Sequence, residues 1–89
     1  MITVEFAASL RRHVDCPPQR VQAAELGQAL DAALKAAPAL AHYVFDDQHH
    51  VRKHVAVFIN QQMQRERANL GQTLNDGDQV LVIQALTGG

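Results

Sequence analysis

The chain has 89 residues, 47% of them apolar and 19% charged, with a formal net charge of −1. That length holds one domain with a modest core, and the near-neutral charge excludes a broad basic field for nucleic acid or anionic membrane. Cys16 is the single cysteine, so an internal disulfide is excluded.

The opening "MITVEF" has no charged start followed by an apolar stretch, and no apolar run reaches membrane-spanning length. A cytoplasmic protein without a secretion signal is expected. Ile2, Val4 and Phe6 alternate with Thr3 and Glu5, which predicts a half-buried strand. "AASLRRHVDCPPQ" reads as a connection, and "QRVQA" as a short second strand closing a long-looped hairpin. Pro17 and Pro18 exclude a helix interior or central strand between them.

In "AELGQALDAALKAAP", Leu26, Leu30 and Leu34 recur every fourth residue, with alanines filling the same stripe. That spacing predicts a helix of roughly three turns. "PALAHYVF" reads as a second short helical segment behind Pro38, and "DDQHHVRK" as a polar loop. "HVAVFIN" predicts a strand with Val55, Val57 and Ile59 on one face and Ala56 and Phe58 on the other. Asn60 and Gln61 suit a turn, and "QMQ" a short return strand. "NLGQTLNDGD" is turn-rich, with at most one loose helical turn. "QVLVIQ" is the last strand, apolar without a break from Val80 to Ile83.

The expected fold is α+β, a mixed sheet of four to five strands with one main helix on one face. The first and last strands, being the most apolar, belong together at the centre. One long helix cannot cover both faces of a sheet. Phe58, Leu81 and Ile83 then form an exposed apolar patch that suits a docking partner.

This layout resembles the β-grasp arrangement of ubiquitin. "ITVEF", "LGQALDAAL", "VAVFINQ", "NDGDQVLVI" and the closing "TGG" together resemble the ubiquitin-like sulfur-carrier family of molybdopterin and thiamin synthesis, the MoaD/ThiS type. The likeness spans nearly the whole chain. That family often has proline near the position of Gln84, which this chain lacks. The segment "FDDQHHVRKH" matches its longer branch, which includes the molybdopterin carriers and a carrier serving a cysteine synthase.

The resemblance implies a division into a β-grasp domain, residues 1–83, and a flexible tail, residues 84–89. It implies a carrier rather than an enzyme, acting with partner enzymes and possible as the small subunit of a complex such as molybdopterin synthase. A ubiquitin-activating-type adenylyltransferase would adenylate the Gly89 carboxylate with ATP, and sulfur would then replace AMP. Gly88 would pass the narrow channel beside it. The thiocarboxylate would serve a sulfur-accepting synthase subunit. No cofactor is expected on the carrier, ATP being used by the activating enzyme. Leu86 and Thr87 join Phe58, Leu81 and Ile83 as expected partner contacts, with neither nucleic acid nor membrane among the partners. The alternatives are sulfur supply to thiamin or cysteine synthesis, a ubiquitin-like protein modifier, and a β-grasp interaction domain using only its sheet face.

Other constellations carry less. His49, His50 and His54 form "HHxxxH", but no cysteine or carboxylate completes a zinc set in the sequence pattern. Cys16 has no evident base beside it, which points to a structural or solvent-exposed thiol. Arg65, Glu66 and Arg67 read as a solvated loop.

Overall fold

The alternating apolar residues at the start of the chain form β1 (Ile2–Phe6), with Ile2, Val4 and Phe6 turned fully inward. The computed structural model to which this strand belongs describes residues 1–12 and 15–84. A short helix, α1 (Ala8–Arg11), follows where the sequence reads as plain connection. Four residues are too few for a periodic signal. Leu10 holds the turn in place, because it is completely buried in the main core.

β2 (Gln19–Val21) returns antiparallel to β1, as the long-looped hairpin requires. α2 (Leu26–Leu34) buries Leu26, Ala29, Leu30, Ala33 and Leu34, the stripe set by the fourfold leucine spacing. The first amides of a helix have no intrahelical acceptor. Here the Leu26 and Gly27 N–H groups donate to the Gln72 and Leu70 carbonyls, both at 2.9 Å. Segment 70–72 therefore caps the helix, and a Cβ at Gly27 would stand 3.2 Å from the Leu70 Cβ. α3 (Pro38–Val44) starts on its proline and sends Leu40 and Val44 into the same core.

β3 (Val55–Ile59) and β4 (Gln62–Gln64) form a hairpin whose two turn residues, Asn60 and Gln61, have φ of 49° and 73°. Left-handed backbone at both positions suits a tight hairpin turn. Asn60 also ties this turn to the next strand. Its side-chain amide donates to Asp78 at 2.8 Å, and its side-chain oxygen accepts the Gln79 N–H at 2.9 Å. β5 (Gln79–Gln84) completes the sheet, in the order β2-β1-β5-β3-β4. It runs parallel to β1 and antiparallel to β3. The turn-rich segment before β5 forms no helix; Thr73 bridges to Glu25 instead.

Val55, Val57, Val80 and Val82 are buried toward the helices, and Ile59 packs against the same cluster. The opposite face bears no described helix. This is the β-grasp fold expected from the sequence.

β5 includes Gln84, one residue beyond the expected domain boundary. Gln84 faces Val55 in the ladder, and its N–H donates to Ser9 Oγ at 3.2 Å. Gln84, the first residue of the expected tail, is thus part of the sheet, and residues 85–89 lie outside the described residues.

Candidate functional site

The side chains left on the open face are fixed by strand register. Leu81 stands beside Glu5 of β1 on one side and Phe58 of β3 on the other, and Phe58 stands beside Met63 of β4. Glu5, Leu81, Phe58 and Met63 therefore form one row across four strands. Ala56 and Ile83 form the next step of the same face. Leu81 is 37% exposed and Met63 55% exposed, while Phe58 and Ile83 are half-buried. Thr3, Glu5, Gln61 and Gln79 line the same shallow depression with Phe58, Leu81 and Ile83. An apolar centre with a polar rim is the anatomy of a protein-docking surface.

Of the sequence-based site residues, the structure thus brings Phe58, Leu81 and Ile83 together. Leu86, Thr87, Gly88 and Gly89 lie outside the described residues. Met63 is the addition that sequence reasoning missed. A two-residue turn at Asn60–Gln61 puts Met63 opposite Phe58, so carrying the hairpin register through would have found it.

Of the other candidates, His49, His50 and Cys16 take structural parts, and His54 is exposed. The His49 ring stacks on Phe45 with centroids 4.0 Å apart, and its Nε2 lies 2.9 Å from Asp31 Oδ1. The His50 N–H donates to Asp46 Oδ1 at 3.0 Å, which is the main cause holding the Asp46 carboxyl below its usual range. Among the described residues no group of three or more His, Cys, Asp or Glu is placed to hold a metal. Cys16 is buried, and that burial, with the nearby Asp15 charge, raises its thiol pKa. A thiol so placed is a core residue rather than a nucleophile.

Arg67 departs from the solvated-loop reading. Its Nη1 donates to the Arg52 carbonyl at 2.5 Å and the Val55 carbonyl at 2.6 Å, closing the turn that leads into β3. Glu66 turns its carboxylate onto the Ala68 and Asn69 N–H groups, Asn69 contributing most to a lowered pKa. Arg65 stays exposed.

Among the described residues no helix is long and apolar enough to cross a membrane. Residues 4–89 match the sequence profile of the ThiS family, a span that includes both terminal glycines. No curated protein sequence matches the chain. The crystal structure of SAMP1 from Haloferax volcanii superposes with a TM-score of 0.82 at 28% identity, covering 99% of this chain and 98% of that one. The BexX/CysO complex of Amycolatopsis orientalis contains a chain similar at a TM-score of 0.77 and 21% identity, covering 100% of both. A complex of subunits 1 and 2 of the molybdopterin-converting factor from Helicobacter pylori gives 0.64 and 20%, covering 99% and 97%. At such identities the last two show the shared fold, and both are assemblies with a partner protein. With its profile match running from the first strand through Gly89, this chain belongs to the ThiS family of ubiquitin-like sulfur carriers and modifiers.

Proposed function

We propose that the protein is a sulfur carrier, not itself an enzyme, whose Gly89 carboxylate is activated by a ubiquitin-activating-type adenylyltransferase. The observation that carries this reading is positional. The family match extends through Gly88 and Gly89, and β5 carries the chain to Gln84, next in sequence to Ile83 of the apolar face of Phe58, Leu81 and Ile83.

A carboxylate is ionised at neutral pH and is a poor electrophile. Attack by one of its oxygens on the α-phosphorus of ATP expels pyrophosphate and leaves an acyl adenylate. Hydrosulfide attack on that carbonyl expels AMP and gives the thiocarboxylate. A persulfide attacks the same way and leaves an acyl disulfide, which a thiol must then cleave. The carrier supplies a reactive end and a docking face; the partner supplies ATP binding and catalysis. Glycine suits this tail because it has no Cβ to obstruct a narrow channel. We place the sulfur in molybdopterin biosynthesis, with thiamin or cysteine synthesis as the alternative acceptors, and place the protein in the cytoplasm.

A second reading is supported by the similarity to the Haloferax volcanii SAMP1, also described as a small archaeal modifier protein. In a modifier, the same adenylate ends on a lysine amine of another protein. Intact mass of the protein isolated from its own host tests both. A population heavier by one oxygen-to-sulfur exchange, confined to the last peptide and ending at Gly89, supports the carrier. Gly89 found only in isopeptide linkage supports the modifier. An unmodified Gly89 under both sulfur-replete and sulfur-starved growth overturns both.

A further inference from the structure

Strand register gathers most of the chain's positive charge at one end of the sheet. β1 and β5 finish, β3 starts and β4 finishes at this end, as the pairs Phe6–Val82, Val55–Gln84 and Val57–Gln64 require. Arg11 and Arg12 lie at the end of α1, whose Ser9 accepts the Gln84 N–H. Arg52 and Lys53 occupy the turn just before Val55, and Arg65 and Arg67 follow β4. Six of the eight Lys and Arg residues thus surround the point where the chain leaves β5. The carboxylates bordering this end are Asp46, Asp47 and Glu66, with Glu5 next to last in β1 and Asp15 three residues past Arg12. Asp46 and Glu66 are turned onto backbone N–H groups. The opposite end, where β5 begins, carries Asp76 and Asp78.

Arg52 and Arg67 are committed in part to backbone carbonyls. Arg11, Arg12, Lys53 and Arg65 are exposed, and their side chains make no hydrogen bond or ion pair among the described residues. These four are the available charges.

We propose that Arg11, Arg12, Lys53 and Arg65 form a basic collar around the root of the tail, which docks on an acidic rim of the adenylyltransferase that receives the tail. The inference rests on the carrier reading. Five residues follow Gln84, spanning about 17 Å at full extension. Charge at the root is screened over roughly 8 Å at physiological salt, so the collar does not act on the reacting carboxylate. It meets whatever surrounds the opening that the tail enters. A ring of positive charge there favours a negative rim, and it speeds encounter more than it tightens the final complex. Nucleic acid is the poorer fit, because carboxylates border the patch and the net charge is −1.

The test uses the full chain and the adenylyltransferase from the same host. Association is followed by stopped flow from 20 mM to 500 mM salt, beside ATP–pyrophosphate exchange at saturating carrier. The R11E/R12E/K53E/R65E variant is expected to lose roughly tenfold or more in association rate at low salt. It is expected to converge with the wild type at high salt and to keep the maximal exchange rate. If that variant melts early, the R11Q/R12Q/K53Q/R65Q variant replaces it. Wild-type exchange with an unchanged salt slope in the variant overturns the collar alone. No exchange by the wild type overturns the carrier reading and the collar with it. Binding of a 20-base-pair DNA duplex at 150 mM salt, lost in the variant, overturns the collar by assigning the charges to nucleic acid.

Discussion

Phe58 and Leu81 stand opposite each other across the β3–β5 ladder, on the sheet face that no described helix covers. Cross-strand partners on one face touch, so the pair forms a continuous apolar surface. The same two strands send Val57 and Val82 to the other side, where both are buried. One ladder therefore supplies both the core and the apolar centre of the open face.

A charge on the open face must be desolvated in a complex without finding a counterion. Phe58→Asp and Ile83→Asp are each expected to weaken binding to the activating enzyme by about 2 kcal/mol or more, roughly thirtyfold in Kd. Both are expected to keep a cooperative melting transition. Titration calorimetry beside a melting curve checks this. A variant that unfolds makes its residue part of the core, and normal binding by both places the docking surface elsewhere.

Deleting Gly89 is expected to abolish adenylation while leaving the melting temperature within error. The nearest described residue is Gln84, and the buried core ends with Val82. Loss of one residue moves the carboxylate back by about 3.5 Å, far outside the tolerance of an in-line attack. Gly88→Val is expected to fail in the same assay, since it adds a branched Cβ. Normal ATP–pyrophosphate exchange by either protein would falsify the activated-tail mechanism.

Leu30 sits at the middle of the α2 stripe and is fully buried. Leu30→Ala is expected to cost about 2–5 kcal/mol, from lost transfer energy and the cavity left behind. Urea unfolding reads this as a lower midpoint at unchanged slope. A shift below 1 kcal/mol, on the same scale, would mean the helix packs loosely on the sheet.

Arg67→Ala removes one nitrogen that serves two carbonyls, those of Arg52 and Val55. The expected loss is about 1–3 kcal/mol, because polar backbone at the start of β3 is left without its partner. Arg65→Ala, two residues away and exposed, is expected to change stability little. Equal losses for the two would contradict the contrast drawn between them.

Acid is expected to weaken the fold through Asp78. Its carboxylate accepts the Asn75 N–H at 2.8 Å and the Asn60 amide at 2.8 Å, which lower its pKa below the ordinary 3.8, Asn75 contributing most. A carboxyl lowered on folding stabilises the protein above its unfolded pKa and loses that contribution as pH falls through the folded value. Asp46 and Glu66 act in the same direction. Asp78→Asn is therefore expected to be less stable than the wild type at neutral pH. The two melting temperatures should converge as pH drops below about 3.8. A constant difference across that range would assign the effect to geometry rather than ionisation.

The sequence by itself determined the strands, the main helix and the facing of the residues on β1 and β3. Those features are local: alternation in ITVEF and HVAVFIN, and leucines every fourth residue from Leu26 to Leu34, are complete within a few neighbours. It also held the motif order that resembles the ThiS family. Only the tertiary structure decided the rest, because the rest depends on pairing between distant segments. α1 is one turn long and is held by the burial of Leu10, which no local pattern announces. Met63 joins Phe58 through hairpin register, and Arg67 is recruited by carbonyls of residues 52 and 55. The basic collar is the plainest case. Arg11 and Arg12 are separated from Lys53 and Arg65 by forty or more residues of chain. They share one end of the molecule because β1 lies parallel to β5 and β3 antiparallel to it, and strand direction is a property of the assembled sheet.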